Sequence, residues 1–220
     1  MNPSEIRVFS GMSIFIGGAL WFLMFSITKF ELLSFDSLKA LGTGISFTGA
    51  FWATYFTWAW KWPFTRKMLY RPNLNGTWIG EFTSDWENSL GEKNLPSPFV
   101  LVIRQKWFSQ SIRAFTSQQK TESYAEVLVF DNSKGVKVLA YLFSDKKNTV
   151  ADHGLRNGAS ELDLIEDYLE DYLEGDFWTR AKTQGYIRVK RANSSFYVDS
   201  FQQANNMWPQ NENWASINPE

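Results

Sequence analysis

Residues 8–28 and 40–60 carry no charged side chain. Arg7 and Lys29 bracket the first run, and Lys39 and Lys61 bracket the second. A helix of that length rises about 1.5 Å per residue and reaches roughly 32 Å, enough to cross a hydrocarbon core of about 30 Å. The loop between the runs is short, so the pair reads as a transmembrane helical hairpin over 1–61. A secretory signal peptide is the alternative for the first run. Its length, the lack of a convincing A-x-A site and the second run that follows at once all speak against it.

Orientation follows from Lys and Arg close to the spans. The Lys29–Lys39 loop has two lysines offset by Glu31 and Asp36, whereas Lys61, Arg66, Lys67 and Arg71 crowd the segment after the second run. Both termini and everything after Lys61 are therefore expected in the cytoplasm. Gly42, Ser46, Ala50 and Thr54 form a small-residue stripe at i, i+4 spacing on the second helix, as do Ser13 and Gly17 on the first. Such stripes let helix backbones approach closely in lipid. They either close the hairpin or join neighbouring protomers.

Of the chain's 22 basic and 23 acidic residues, three of each lie in the first 60. The remainder is near neutral, which gives no electrostatic footprint for polymeric nucleic acid. It is also long enough for one core-bearing domain. The sequence has no cysteine, which excludes a disulfide framework, thiolate chemistry and cysteine-zinc sites. No P-loop, G-x-S-x-G or histidine pair is present, so neither catalysis nor a metal or other cofactor is expected. The acidic stretch 161–176 lacks the glycine-punctuated spacing of a calcium loop and reads as a solvated strand face.

Beyond the linker 62–72 the hydrophobic period changes from helical to alternating. Leu74, Trp78, Phe82 and Trp86 alternate with Asn75, Thr77, Glu81, Thr83 and Asp85. Further strands are predicted near 98–106, 109–117, 122–130, 135–144, 159–166, 171–179 and 184–191, separated by turn signals such as Asp131-Asn132-Ser133-Lys134-Gly135. Eight strands with mostly short links predict an all-β, antiparallel, up-and-down barrel over 73–191. The run EDYLEDYLEG reads as two strands and a turn, with a short surface helix as the alternative. The polar tail 192–220 reads as either a docked short helix or a loose end.

Gly76-Thr77-Trp78 resembles the Gly-x-Trp of lipocalin-type barrels, in which the Trp plugs one end and an Arg from the last strand packs on it. Ile187 and Val189 inward make Arg191 inward, so Trp78 and Arg191 are expected to close the barrel by a cation–π contact. Connectivity then places that closed end toward the membrane. The opposite end gathers His153, Lys93, Lys120, Lys146, Lys147, Arg156, Arg180 and Lys182, and the membrane side gathers Glu166, Asp167, Glu170 and Asp171. Alternation assigns Phe82, Ser84, Leu101, Ile103, Gln105, Ala114, Thr116, Ser123, Ala125, Tyr141, Phe143, Leu162, Phe177 and Thr179 to the interior. That interior is either a filled small-barrel core or a ligand cavity with aromatic faces and a few hydroxyls.

Two N-terminal membrane helices followed by an eight-stranded barrel resemble the two-transmembrane β-barrel effectors of bacterial CBASS antiphage systems. The residues that carry the resemblance are Leu74-Asn75-Gly76-Thr77-Trp78, Ala140-Tyr141-Leu142-Phe143, Asp152-His153-Gly154, and the closing pattern Leu173-x-Gly175-x-Phe177-x-x-Arg180-x-x-Thr183-x-Gly185-x-Ile187. The resemblance implies a non-enzymatic receptor in the bacterial inner membrane. Its barrel binds a cyclic dinucleotide, protomers associate, and the helices disrupt the bilayer in an abortive infection. Thr116, Ser123, Tyr141, His153, Arg180 and Thr183 are then expected to contact the nucleotide, with Trp178 at the rim. The rival expectations are a membrane-tethered lipocalin-like carrier of an apolar molecule and a ligand-free interaction scaffold.

Overall fold

The computed structural model describes residues 3–28, 34–62, 64–65, 69–86, 95–117, 119–131, 135–145, 157–167 and 170–207. The chain divides into two compact units, Met1–Arg71 and Pro72–Glu220.

The first unit is an α-helical pair, α1 (Pro3–Thr28) and α2 (Phe35–Thr57). Pro3 stands at the first helical position, where a missing N–H costs nothing. The Ser34 hydroxyl caps α2 by accepting the Ser37 N–H at 3.2 Å, and Asp36 complements the positive end of the helix dipole. Hydroxyls within the helices bond back one turn, as in Ser13 to Phe9 O (2.7 Å) and Thr48 to Gly44 O (2.8 Å). They therefore need no water. Trp52 Nε1 donates to Ser13 Oγ at 2.9 Å and its ring lies 4.5 Å from Phe9. A Cβ on Gly44 would sit only 3.2 Å from the Gly17 carbonyl oxygen.

The helices thus touch through Ser13 and Gly17 on one side and Gly44, Trp52 and buried Ala40 on the other. Gly42, Ser46, Ala50 and Thr54 are exposed, and a Cβ on Gly42 would meet nothing. That stripe does not close the hairpin. It lies nearly half a turn away from the face that does. Among the described residues one helix is long and apolar enough to cross a membrane, over Glu5–Ile27. The α2 helix has the length, but its serines, threonines and glycines make it less apolar. It also ends at Thr57, and a 3₁₀ turn over Ala59–Lys61 completes the second uncharged run.

The second unit is a closed antiparallel barrel of eight strands in chain order, with β8 returning to β1. The strands are β1 (Gly76–Ser84), β2 (Ser97–Gln105), β3 (Gln110–Phe115), β4 (Lys120–Asp131), β5 (Val136–Asp145), β6 (Gly158–Glu166), β7 (Asp171–Thr179) and β8 (Gln184–Asn193). The acidic run that also fits a helical stripe is the β6–β7 corner. Its carboxylates are partnered: Glu166 with Lys137, Glu170 with Lys190 at 3.4 Å, and Asp171 with Arg191 at 3.2 Å. The negative end of the barrel is therefore largely neutralised by its own cations.

One end of the barrel is plugged. Trp78 stands opposite Arg191 in the β1–β8 ladder, and the guanidinium lies 4.6 Å from the indole centroid. Arg191 also donates to the Asn73 carbonyl. Residues 72–75 cross this floor under the control of Gln105, which is buried. Its side chain accepts the Leu74 N–H (2.7 Å) and donates to Pro72 O (3.0 Å), while its own N–H goes to Asn75 Oδ1 (2.8 Å). Above the floor, Leu101, Ile103, Leu139, Leu162, Leu173 and Val189 fill the lower half completely.

Strand β4 departs from simple alternation. A bulge between Ser123 and Ala125 adds one residue, and a one-residue shift sends every following side chain to the other face. Ala125 is consequently exposed rather than interior. Leu128 and Phe130 are buried while Val127 and Val129 face out.

The tail is not loose over its described part. Residues 194–207 cross the outside of β1, β2 and β3 as a strap and end in a short helix, α3 (Phe201–Asn205). Val198 and Ala204 are fully buried against Ile79, Val100, Val102 and Phe115. Thr77 Oγ1 donates to Ser195 O at 2.7 Å, and Arg113 pairs with Asp199. Trp208 and Trp214 lie outside the described residues.

Candidate functional site

The upper half of the barrel is hollow. A cavity of about 680 Å³ opens at the end opposite the Trp78–Arg191 floor. Its mouth is formed by the ends of β1 and β2, the β3–β4 turn and the β7–β8 turn. The volume falls in the range that holds a single ligand of drug-like size.

Its walls have two aromatic sides. Phe82, Phe99 and Phe177 form one cluster on β1, β2 and β7, with Phe82 5.7 Å from Phe99 and 6.0 Å from Phe177 in edge-to-face contacts. Tyr141 and Phe143 stand on β5, on the far side of the eight-strand ring from β1, with centroids 6.0 Å apart. Two glycines set these rings in place. Phe177 pairs with Gly185 across β7–β8, and Phe143 pairs with Gly158 across β5–β6. A Cβ on Gly185 would fall 2.7 Å from the Phe177 ring, and one on Gly158 would fall 2.6 Å from the Phe143 ring. Only glycine lets each ring lie flat against the neighbouring strand.

Between the aromatic sides the lining is polar but uncharged. Ser84, Ser97, Ser117, Thr121 and Thr179 supply hydroxyls beside Thr116 and Thr183, and Gln119 supplies an amide. No charged side chain is among the described lining residues. Cations stand at the rim instead: Arg180 and Lys182 are exposed and flank Ala181, which lines the cavity. The β7–β8 turn is held by Thr179 N–H to Thr183 O (2.8 Å) and Arg180 N–H to Asn157 O (2.7 Å). Lys182 takes φ 62°, a left-handed conformation of the kind tight turns need.

Of the residues expected to meet a nucleotide, Thr116, Tyr141 and Thr183 line this one cavity. Arg180 sits at its rim with an exposed side chain. Ser123 does not join them. Its hydroxyl accepts the Ile112 N–H at 2.8 Å and donates to Glu126, filling the seam between β3 and β4 at the bulge. Trp178 points outward, half exposed, because its neighbour Phe177 points in. His153 lies outside the described residues, as do Lys93, Lys146, Lys147 and Arg156.

Other lining residues were less evident. Phe99 is not among the residues assigned to the interior, although it shares the parity of Leu101 and Ile103. Thr121 shares the parity of Ser123 but falls before the predicted start of its strand. Gln119, Ser117 and Ala181 come from turns, where no periodicity applies.

Tyr141 is held from behind. It pairs across β5–β6 with Ser160, which is buried. Ser160 Oγ in turn donates to the Asp176 carbonyl on β7 at 3.1 Å. Burial pushes the Tyr141 hydroxyl pKa up to about 12, so it keeps its proton at any physiological pH.

Among the curated proteins compared, none matches this chain. A family model does: that of the Cap15 cyclic dinucleotide receptor domain matches residues 69–191, more than half of the sequence. The matched span ends at Arg191, the residue that stacks on Trp78 in the floor, and leaves out the helical pair and the strap. The hollow barrel is therefore a cyclic dinucleotide receptor domain by descent, and the chain belongs to the Cap15 family of CBASS effectors.

Proposed function

We propose that this chain is a membrane-anchored effector whose barrel takes one cyclic dinucleotide in the hollow half, and that ligand binding gathers protomers whose helices then disrupt the bacterial inner membrane. The observation that carries the reading is the cavity, with two aromatic sides facing each other across a ring of neutral hydroxyls. Two bases find a stacking face each, and stacking on an aromatic ring is worth about 1–3 kcal/mol per base. The ring phosphates find hydroxyl donors inside and Arg180 and Lys182 at the rim. Thr116, Tyr141 and Thr183 contact the ligand from the wall. The Ser123 hydroxyl is already spent within the barrel, so we assign it no contact.

The anchor is read from the helices. Ile14, Phe15, Phe22 and Ile27 of α1 and Phe35, Leu38, Ile45 and Phe47 of α2 are all more than half exposed. Large apolar groups in that density favour lipid over water. We take α2 as a second span, with both termini and the barrel cytoplasmic. The exposed Gly42-Ser46-Ala50-Thr54 stripe, free of α1, is the surface through which protomers associate.

A thermal-shift panel on the full-length protein in detergent tests the receptor reading. At 100 times Kd a ligand stabilises the folded state by about 2.7 kcal/mol. For a domain of this size that raises Tm by roughly 5–10 °C. The shift is expected with cyclic dinucleotides and not with fatty acids. A shift with fatty acids alone would identify an apolar carrier instead, and no shift with either would identify a ligand-free scaffold.

A further inference from the structure

Tryptophan and tyrosine are spread unevenly along the helical unit. Six of the seven in residues 1–71 fall within 52–70: Trp52, Tyr55, Trp58, Trp60, Trp62 and Tyr70. They mark the end from which the chain runs on into the barrel. Residues 40–57, the uncharged part of α2, rise about 27 Å as a helix, close to the hydrocarbon thickness of about 30 Å. The 3₁₀ turn that follows, with Phe64 beyond it, then falls where the headgroups begin.

That turn is held by its own bonds. Trp58 N–H donates to Thr54 O (3.3 Å), Lys61 N–H to Trp58 O (3.3 Å) and Trp62 N–H to Ala59 O (3.0 Å). The hydroxyl of buried Tyr55 shares its proton between the Thr65 and Leu69 carbonyls (3.3 and 3.4 Å), and the Thr65 hydroxyl donates to Ala59 O. Trp60 is buried, whereas Trp58, Trp62 and Phe64 are 49%, 50% and 88% exposed. Trp58 and Trp62 meet edge to face at 4.8 Å. Lys61 is exposed, with its ammonium 5.5 Å from the Trp60 ring and no carboxylate partner among the described residues. A turn bonded in this way cannot fold its rings inward, so water is a poor solvent for them. Hydrocarbon would strand the lysine and the indole N–H groups. The headgroup layer suits both, because it takes apolar rings together with polar tips.

We propose that residues 58–62 and Phe64 form a lipid-binding foot, with the Trp58, Trp62 and Phe64 rings in the headgroup layer and Lys61 on a lipid phosphate. This rests on the reading of α1 and α2 as a membrane anchor, and it names the groups that set the depth at which α2 leaves the bilayer. Lys61 gives the foot a preference for anionic lipid.

The chain has no cysteine, so one introduced cysteine is a unique labelling point. The test is nitroxide labelling of the full-length protein at Phe64→Cys, reconstituted in vesicles of phosphatidylethanolamine and phosphatidylglycerol. Collision rates with oxygen, which concentrates in hydrocarbon, and with a neutral nickel chelate, which stays in water, read the depth. Phe47→Cys on α2 and Tyr124→Cys on β4, both more than half exposed, give the hydrocarbon and water limits. The Phe64→Cys label is expected between them. Adding Lys61→Glu should shift it toward water about fivefold in these vesicles, the worth of one lysine at an anionic surface, and leave it unmoved in phosphatidylcholine. Trp62→Cys gives the same reading where Phe64→Cys fails to fold.

A label as wet as at Tyr124 overturns the foot, and so does one as oxygen-rich as at Phe47. A label shielded from both reagents overturns it too, by showing that protein covers the turn. Lys61→Glu without effect on anionic vesicles removes the phosphate contact. If the protein does not float with vesicles at all, the anchor reading falls and this inference with it.

Discussion

Val198→Ala tests whether the strap belongs to the barrel's cooperative unit. Val198 is fully buried on the outside of β1–β3, against Ile79, Val100, Val102 and Phe115. The substitution removes two methyl groups at about 0.8 kcal/mol each, and an unfilled cavity adds to that, for a loss of roughly 2 kcal/mol. In a domain of this size the loss lowers Tm by about 4–8 °C. The neighbouring ion pair provides the control. Asp199 is 78% exposed, so its pairing with Arg113 is screened by water and Asp199→Asn is expected to move Tm by no more than about 1 °C. Differential scanning fluorimetry on the full-length protein in one detergent reads both. The opposite faces of these strands carry Phe82, Phe99 and Ala114 of the cavity, and the strap itself stays clear of it. A saturating cyclic dinucleotide should therefore raise Tm by the same increment in wild type and Val198→Ala. A Val198→Ala protein as stable as wild type would show that the strap is an ornament on the barrel.

Gly185→Ala places a Cβ 1.9 Å from Thr83 O and 2.7 Å from the Phe177 ring. It should lower stability by about 1–3 kcal/mol and weaken cyclic dinucleotide binding, since Phe177 has to leave the cavity wall. Denaturant melts and titrations check the pair of effects, and intact affinity would remove Phe177 from the site. Burial raises the pKa of the Glu81 carboxyl in the folded chain. The folded state then holds a proton to higher pH than the unfolded one, so stability falls as pH rises from the unfolded carboxylate value through the folded one. The Tm advantage of Glu81→Gln over wild type should therefore grow between about pH 4 and pH 7, and an advantage largest in acid would refute the sign. Gly42→Leu and Ala50→Leu fall on the exposed stripe of α2, away from Gly44 and Trp52. Both should abolish toxicity in cells while leaving ligand binding intact, and unchanged toxicity would take the stripe out of the mechanism.

The barrel was legible because each strand carries its own record. Alternation and turn chemistry are local, and the predicted strands lie within a few residues of the observed ones. The floor was legible for a related reason: Trp78 and Arg191 fall at the two chain ends that any closed meander must bring together. The β4 reading failed after Ser123 because Ala125, Val127 and Val129 are as apolar as Leu128 and Phe130. A strand apolar on both faces gives no warning of a bulge that exchanges them.

The sequence leaves the tail open between a docked short helix and a loose end, and the structure shows the short helix, α3. Its own sequence is polar, and the residues it packs on the barrel, buried Val198 and Ala204 and partly buried Phe196 and Phe201, follow no single period. The signal lay elsewhere, in Phe99-Val100-Leu101-Val102-Ile103. A barrel strand apolar on both faces needs a cover outside as well as a core inside. Of the expected contact residues, those on regular strand or turn positions, Thr116, Tyr141 and Thr183, reached the cavity. Ser123 was lost to a backbone amide left without a partner at the bulge, which composition does not reveal. On the helices, small-residue spacing identified the α1 face at Ser13 and Gly17. It did not separate the Gly44 face of α2 from the Gly42 face, because both repeat every four residues.

The central claim is that the hollow half of the barrel is filled by a cyclic dinucleotide. Isothermal titration of the full-length protein with cyclic di-AMP, cyclic di-GMP and mixed-base cyclic dinucleotides measures this directly. The wild type is predicted to bind at least one of them saturably, with one ligand per chain. Ala114→Leu, which adds bulk inside the cavity wall while Trp78 and Arg191 hold the floor, is predicted to abolish the heat. A folded wild-type protein that gives no heat with any cyclic dinucleotide would contradict the account. Binding that survives Ala114→Leu unchanged would place the ligand outside the barrel.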